Sequence, residues 1–527
     1  MRMVNCLNSP ASRWVKSTMA ELTTDEKLGQ LHTSRAHLPD IGDSIARGIV
    51  GNLYTRTDIP DTRLAELQRI AKVPMIISAD LESGNLYEKN EWPTQMTLGA
   101  IGDPEDTYKW AYYQGLEARA GNINSVYGPV LDVSLNPAGI ATGTRTFGSS
   151  PEAVAQLTVA AIRGYQDAGI LPFSKHFPGY GRGWEDAHFE LSTLEADRET
   201  LFQEDLLPYI EAVRHAGLAG LMTGHIRVPY IDADLPLPLS PKIMSLLGDI
   251  GFAGISITDS LAMKSLNLHY PLSLLYPACL AAGHDIVIAD YNTPDAQGHE
   301  YLKKGLVDGI LNEDMIDRKV ERVLKIKEYL THFKPTAYDA DRHRLFFEAL
   351  AKKSVTCVKS AGAHYQPLSP AEKILFLFVS DYGGDVQGEL QAVSGRAEQV
   401  KAALLERFAH ADVEFLPSYP APDILERALR LSFSYESLAV ISLVDMKAYS
   451  GTLEITRPVK TLLSALRGKI HTMVVVGSPY SVIDLPDLKQ LLASYGGGVW
   501  YRAVADVLCG MAAPEGSLPV HKKPRKR

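Results

Sequence analysis

The feature that most constrains this chain is a pattern repeated along its first half. A short apolar run ends in a polar residue and is followed by a stretch with helical periodicity. The runs are GIVGNLY (48–54), VPMIISAD (73–80), SVYGPVLDV (125–133), ILPFSKHFP (170–178), GLMTGHI (220–226), GISITDS (254–260) and DIVIAD (285–290). Between them lie helical patterns such as PEAVAQLTVAAIRGYQDAG and LFQEDLLPYIEAVRHAG. Strands that alternate with helices imply βαβ units and a parallel sheet covered on both faces. Seven or eight such units fit a closed (β/α)8 barrel better than an open sheet.

The ends of the runs carry chemistry: Asp80, Asp132, Lys175 with His176, His225 and Asp259. In a barrel the C-terminal strand ends meet at one face, so residues 180 positions apart in sequence become neighbours. A polar residue at one strand end is often only a loop cap. A polar residue at one strand end after another is hard to explain that way.

Other segments complete the domain plan. Thr23 and Glu26 form a capping-box pattern at the start of TTDEKLGQLH, with Leu28 and Leu31 at helical spacing. After Lys327 the Pro- and Asp-containing connector THFKPTAYDADRHR reads as a boundary. Beyond it KILFLFVS (373–380), LAVISLVDM (438–446) and HTMVVVGSP (471–479) are strand candidates separated by helices. The expected fold is therefore α/β: an N-terminal (β/α)8 TIM-type barrel over 1–335, a linker region over 336–370, and a smaller α/β sandwich domain over 371–527. A chain of 527 residues is too long for one core, which agrees with this division.

Composition narrows the functions. The formal net charge of −9 supplies no basic face, so no nucleic-acid partner is expected. The one basic run, HKKPRKR at 521–527, reads as a solvated end. No stretch of about 18 uninterrupted apolar residues occurs, so no membrane partner is expected either. The first residues, MRMVNCLNSPASRW, lack the apolar run of a signal peptide, and a cytoplasmic location is expected. Cys6, Cys279, Cys357 and Cys509 lie far apart with no CxxC, and are expected to be buried thiols in a reducing compartment. No GxGxxG or P-loop stands in a strand–helix context, so no nucleotide or flavin is implied. No cofactor is expected, and the oligomeric state is left open.

Three clusters carry the candidate chemistry. The first is KHFPGYGRGWEDAH (175–188), in which a glycine-rich loop after the strand delivers Asp186 and His188. An aspartate beside a histidine can fix the imidazole tautomer and stabilise the imidazolium, as general acid–base work requires. The same stretch, with His176 and His225, offers a possible metal set, but no HxH or HExxH spacing supports it. The second is FAGISITDSLAM (252–263), which puts Asp259 at the end of a strand; a helix N-cap is the plain alternative. The third is LDVSLNPAGIATGTRTFGSSPE (131–152), with Arg145 able to clamp a hydroxyl or to pair with Asp132.

In this order and spacing the clusters resemble glycoside hydrolase family 3, specifically its bacterial β-N-acetylglucosaminidase branch. That branch carries KHFPGHG and then seven residues ending in Asp-Ser-His, matched here by KHFPGYG and RGWEDAH. PVLDVSLNP, GTRTFGSSP, GISITDSLAM and, near the C-terminus, SPYSVID and GSLPV match further family patterns. The resemblance implies a retaining exo-acting hydrolase that removes terminal β-linked N-acetylglucosamine from cell-wall or chitin fragments through a covalent glycosyl-enzyme. It makes Asp259 the nucleophile, His188 the acid/base and Asp186 its partner. It assigns Asp80, Arg145, Lys175 and His176 to binding of the small carbohydrate substrate, and it suggests a place in peptidoglycan recycling. Alternatives are a β-glucosidase, β-xylosidase or N-acetylglucosaminide phosphorylase of the same family, or an inactive sugar-binding relative. Three departures stand out: Tyr180 replaces a usual histidine, Asp80-Leu81-Glu82-Ser83-Gly84 replaces DQEGG, and the arginine that commonly follows is missing.

Overall fold

Eight parallel strands close into a barrel: β1 (His32–Arg35), β2 (Asn52–Tyr54), β3 (Ile76–Ala79), β4 (Ser125–Val126), β5 (Leu171–Phe177), β6 (Gly220–Thr223), β7 (Ile255–Ser260) and β8 (Ile286–Ile288). The computed structural model describes residues 3–56, 59–82, 85–86, 90–137, 139, 142–290, 292–334, 337–360, 362–380, 389–444, 455–482, 485 and 487–521. Ser83 and Gly84, Ala138, Ile140 and Ala141 of the 131–152 cluster, Asp445 and Met446, Ile483 and Asp484, and the tail 522–527 lie outside the described residues. The chain divides into two compact units. One comprises Met1–Asn90, Asp103–Thr142 and Ser150–Ala340; the other comprises Glu91–Gly102, Gly143–Ser149 and Asp341–Arg527.

In the first unit each strand pairs with its sequence neighbours, and β8 closes on β1 through His32–Val287 and Thr33–Ile288. Apolar strand residues such as Ile76, Phe173, Leu221, Ile255 and Val287 are buried, which is why these runs read clearly in the sequence. The eighth strand is the exception. β1 has the sequence HTSR, yet His32, Thr33 and Ser34 are buried. Hydrogen bonds offset part of this burial: His32 Nδ1 bonds to the Ile49 carbonyl at 3.1 Å and Ser34 Oγ donates to Asp295 at 2.5 Å, while His32 Nε2 and Thr33 Oγ1 have no hydrogen-bond partner among the described residues. The run 125–133 contributes only two strand residues, Ser125–Val126, and the Gly128–Pro129 bond after them is cis. The Lys175–His176 and Phe177–Pro178 bonds are also cis.

The helices follow equally local causes. Thr23 and Glu26 form the reciprocal capping box at the start of Thr24–Gln30. Ser150 caps Pro151–Asp167, with Pro151 in the first turn where its missing N–H costs nothing. Val154, Leu157, Ala161, Ile162 and Tyr165 of that helix are buried, each large apolar side chain contributing roughly 1.5–3 kcal/mol. Gly164 brings the helix against Pro104–Ala120, since a Cβ there would lie 2.4 Å from the Tyr108 carbonyl oxygen. The stretch 201–217 is not one α-helix. It runs as π-turns Leu201–Asp205 and Ala212–Ala216 around a short α-helical Leu207–Glu211 that contains Pro208, a residue with no N–H to donate.

The second unit is built on a six-stranded sheet of β9 (Thr356–Lys359), β10 (Ile374–Ser380), β11 (Asp412–Pro417), β12 (Ser437–Val444), β13 (Ile470–Gly477) and β14 (Leu491–Ser494). The order is β9-β14-β13-β12-β10-β11, parallel except for β9. Alternating residues feed two cores. Phe376, Phe378, Val474 and Val476 pack with Trp500 and Val504, whereas Leu375, Leu377, Val440 and Val475 pack with Val459 and Leu463. The result is the expected α/β sandwich. The helix Gln95–Ile101 also belongs to this unit: Met96 and Ala100 pack with Tyr480, Ala493, Tyr495 and Val520. All four cysteines are free, but only Cys279 is buried; Cys6, Cys357 and Cys509 are partly exposed, a correction to the expectation for all four. No helix among the described residues is long and apolar enough to cross a membrane.

Buried histidines, His284 and His299 among them, give the barrel a pH dependence. His284 Nδ1 bonds to the Cys279 carbonyl and Nε2 to Thr223, while neither nitrogen of His299 has a hydrogen-bond partner among the described residues. Burial pushes both down to about 4 from the usual 6.5. The unfolded chain therefore takes up these protons first. The stability they permit is complete above pH 6.5 and is lost as pH falls toward 4. Urea unfolding between pH 7 and 5 is expected to lose roughly 1.4 kcal/mol per pH unit per histidine below 6.5. His284→Gln is expected to remove one proton's share of that slope; an unaltered slope would contradict the assignment.

Candidate active site

Two β-bulges shape the C-terminal mouth of the barrel. Between β5 and β6 the register moves from Ser174–Leu221 to Phe177–Thr223, so the extra residue falls at Lys175–His176. Between β7 and β8 it moves from Ile257–Ile286 to Ser260–Ile288, so the extra residue falls at Thr258–Asp259. A bulge re-aims side chains that regular alternation would send elsewhere. The Ile288 N–H donates to Thr258 Oγ1 at 3.1 Å across the second bulge. Thr258 also pairs with Thr223, and Thr223 with Phe177, so Asp259, His225 and the Lys175–His176 pair lie at one level. Asp259 belongs to the strand and not to a helix cap.

Each group at this mouth has a fixed partner. Lys175, buried, reaches Asp80 at 2.7 Å and also pairs with Glu82. Asp132 is fully buried and accepts three N–H bonds: from His176 Nδ1 at 2.8 Å, the His176 backbone at 3.2 Å and the Tyr180 backbone at 3.1 Å. Tyr180 Oη accepts the His225 backbone N–H at 2.7 Å, and His225 Nδ1 meets Ser265 Oγ at 3.3 Å. Burial pushes His225 down to about 4, against the pull of Asp259, so it is neutral at pH 7. Burial pushes the Asp259 carboxyl up, but His176, His225, the Ser260 N–H and Lys175 outweigh it and hold the group below the usual carboxylate range. Asp259 is thus an ionised carboxylate in a half-buried site.

The loop after β5 brings in the last pair. His188 Nδ1 donates to Asp186 Oδ1 at 2.6 Å, and the same oxygen accepts the His188 backbone N–H at 3.0 Å. The imidazole is fixed at Nδ1, leaving Nε2 for other chemistry. His188 and His176 both act electrostatically on His225, which ties the dyad to the strand-end cluster. Glu185 turns away, accepting from the Trp184 backbone and from Ser192 Oγ. The loop's glycines serve close approach more than freedom: a Cβ on Gly181 would lie 1.6 Å from the Val133 carbonyl oxygen. Arg182 clasps the loop to the π-turn through Asp205, at 2.8 Å, and Glu204.

The expected residues Asp80, Lys175, His176, Asp186, His188 and Asp259 all belong to the barrel unit. Arg145 ends the short helix Gly143–Arg145, which is part of the second unit. Asp132, Glu82, His225, Tyr180 and Arg182 were not assigned roles from the sequence. Strand-end position was a usable signal for Asp132 and His225, and none pointed to Arg182. Among the described residues no set of three or more His, Cys, Asp or Glu side chains is arranged to hold a metal ion.

Comparison with known proteins identifies the family and the fold. The model of the glycosyl hydrolase family 3 N-terminal domain matches residues 21–326. A β-N-acetylglucosaminidase/β-glucosidase of Cellulomonas fimi is 29% identical, with 98% of this chain and 96% of that protein covered. β-Hexosaminidase A of Pseudoalteromonas piscicida is 26% identical, over 86% and 84% of the two chains. The structure of a family 3 β-N-acetylglucosaminidase from Paenibacillus sp. str. FPU-7 superposes with a TM-score of 0.85 at 27% identity, covering 96% of this chain and 100% of the other.

The Arg182 clasp can be tested through its charge. Burial pushes Asp205 up to about 6 even with Arg182 beside it. Arg182→Met would leave that carboxylate buried without its cation, at a cost of about 3–5 kcal/mol when ionised. The loss is expected to be small at pH 5, where Asp205 holds a proton, and to grow above pH 6 by up to about 1.4 kcal/mol per pH unit until the carboxyl of the variant ionises too. Denaturant unfolding at pH 5 and pH 8 checks this; equal losses would mean the pair is not the clasp.

Proposed function

The chain belongs to glycosyl hydrolase family 3, and from that premise we propose that it is a retaining exo-β-N-acetylglucosaminidase. The observation that carries this reading is the Asp186–His188 hydrogen bond on the loop beside an ionised Asp259. A retaining hydrolase needs a nucleophilic carboxylate at the anomeric carbon and an acid at the leaving oxygen. In this reading the Asp259 carboxylate attacks the anomeric carbon while His188 Nε2–H protonates the departing oxygen. The C–O bond to the leaving group breaks and a glycosyl ester forms on Asp259. His188, now neutral, takes a proton from water, whose oxygen displaces Asp259 and restores both groups. Asp186 steadies the imidazolium of the resting acid. Lys175, held by Asp80 and Glu82, and His176, held by Asp132, are the groups proposed to bind sugar hydroxyls.

The substrate proposed is a terminal β-linked N-acetylglucosamine on a cell-wall or chitin fragment, which suits a place in peptidoglycan recycling. A β-glucosidase activity is the second reading, because the Cellulomonas fimi relative carries both activities in its name. Turnover of a chromogenic N-acetylglucosaminide against the matching glucoside decides between them, and a clear preference for the glucoside would reverse the assignment.

Asp259→Ala is expected to lower kcat by roughly a thousandfold or more with the fold retained. A fluorinated sugar is expected to label Asp259, read by peptide mass spectrometry; a label on another carboxylate would move the nucleophile. His188→Ala is expected to slow a poor leaving group far more than an activated phenol, because only the poor one needs a proton. Azide is expected to restore turnover of the activated substrate, and Asp186→Asn to give a milder version of the pattern. Equal losses with no rescue would place the acid/base elsewhere, with Glu185 the next residue to examine.

A further inference from the structure

Exposed aromatic side chains are unevenly distributed over the barrel unit. Among its described residues the large aromatics left open to solvent are Trp184 (60% exposed), Phe189 (42%) and Tyr230 (64%). All three lie on loops that follow two adjacent strands, β5 and β6. These strands lead to His188 and His225. Single exposed apolar residues are ordinary on a protein surface. Three exposed aromatics on loops that leave two neighbouring strands at one end of the barrel are not explained by that, because a random scatter would leave some on the outer helices.

The loop that bears Trp184 and Phe189 is held firmly. Asn136 Nδ2 donates to the Arg182 and Gly183 carbonyls, the His188 carbonyl accepts the Lys264 backbone N–H at 3.1 Å, and Lys264 Nζ sits 5.5 Å from the Phe189 ring centroid. Trp184 is two residues before Asp186 and four before His188. An acid that protonates the glycosidic oxygen stands beside the group that leaves. Whatever is attached beyond that oxygen is therefore next to the loop that carries the acid. An indole face suits the C–H face of a pyranose ring, being apolar, flat and low in conformational freedom.

We propose that this aromatic rim, with Trp184 as its platform, is the binding site for the leaving sugar, and that it takes a second pyranose ring by stacking. The inference rests on the acid/base reading of His188. It deepens that reading by naming the residue that selects a sugar leaving group over a small one. Trp184 touches neither the nucleophile nor the acid in this account; its effect falls on how the leaving ring is held.

The test compares two donors that share the same N-acetylglucosaminyl group. One is the β-1,4-linked N-acetylglucosamine disaccharide, which has a leaving ring; the other is β-N-acetylglucosaminyl fluoride, which has none. Trp184→Ala is expected to lower kcat/KM for the disaccharide by about tenfold, mostly through KM, with a several-fold smaller effect on the fluoride. Trp184→Phe, which keeps a stacking face, is expected to recover most of the loss. Equal losses on both donors, or no loss on the disaccharide, would overturn the proposal. A wild-type protein inactive on both donors would instead overturn the proposed function, and this inference with it.

Discussion

The arrangement depends on one buried carboxylate, Asp132. A charged group with no exposure is costly unless donors surround it, and here three N–H groups do so. Those donors come from His176 and Tyr180, the residues on either side of the turn that leaves β5. The turn and the histidine ring are therefore fixed together. Tyr180 passes the constraint on, because its hydroxyl accepts the His225 N–H and so links β5 to the loop after β6. The tyrosine stands where the related branch usually has a histidine, and it fills its place with a bond to backbone. One anion thus orders the ends of two neighbouring strands.

Barrel geometry supplies the rest of the convergence, but only after local departures from it. Regular strands would alternate their side chains between the barrel interior and the helices outside. The bulges at Lys175–His176 and Thr258–Asp259 break that alternation at the residues proposed to do the chemistry. The loop that brings in Asp186 and His188 is anchored in the same manner, by close backbone approach at Gly181 and by Arg182 on two acidic residues. Precision at the mouth comes from these fastenings, while the apolar strand cores below give them a rigid base.

How far the sequence could be read follows from which of these forces leaves a local trace. Apolar runs such as 254–260 and 373–380 were legible because buried strands need apolar residues on both faces. HTSR escaped for the opposite reason, since β1 is buried through polar partners that lie at Ile49 and Asp295, far along the chain. The interrupted helix over 201–217 turns on proline placement, which periodicity alone does not weigh. At the site, strand-end position pointed to Asp259 and to the Lys175–His176 pair, and the Asp-x-His spacing to the dyad. The Asp132–His176, Tyr180–His225 and Arg182–Asp205 links join residues 23 to 45 positions apart and have no spacing rule to betray them. The use of Gln95–Ile101 in the second unit was hidden for the same reason: its buried partners, such as Tyr495, come from the far end of the chain.

The electrostatics of the mouth separate charge by environment. Burial would protonate Asp259, yet the cationic Lys175 and the ring of His176 keep it ionised. The same burial acts on His225 with the opposite sign, removing its proton so that it lies neutral beside that carboxylate. His188, by contrast, has a carboxylate of its own in Asp186, so in the proposed mechanism its imidazolium is stabilised without drawing on Asp259. In the proposed mechanism two histidines and two aspartates are divided between a nucleophile and an acid with its own partner, and the division follows from depth and neighbours, since the residue types are the same.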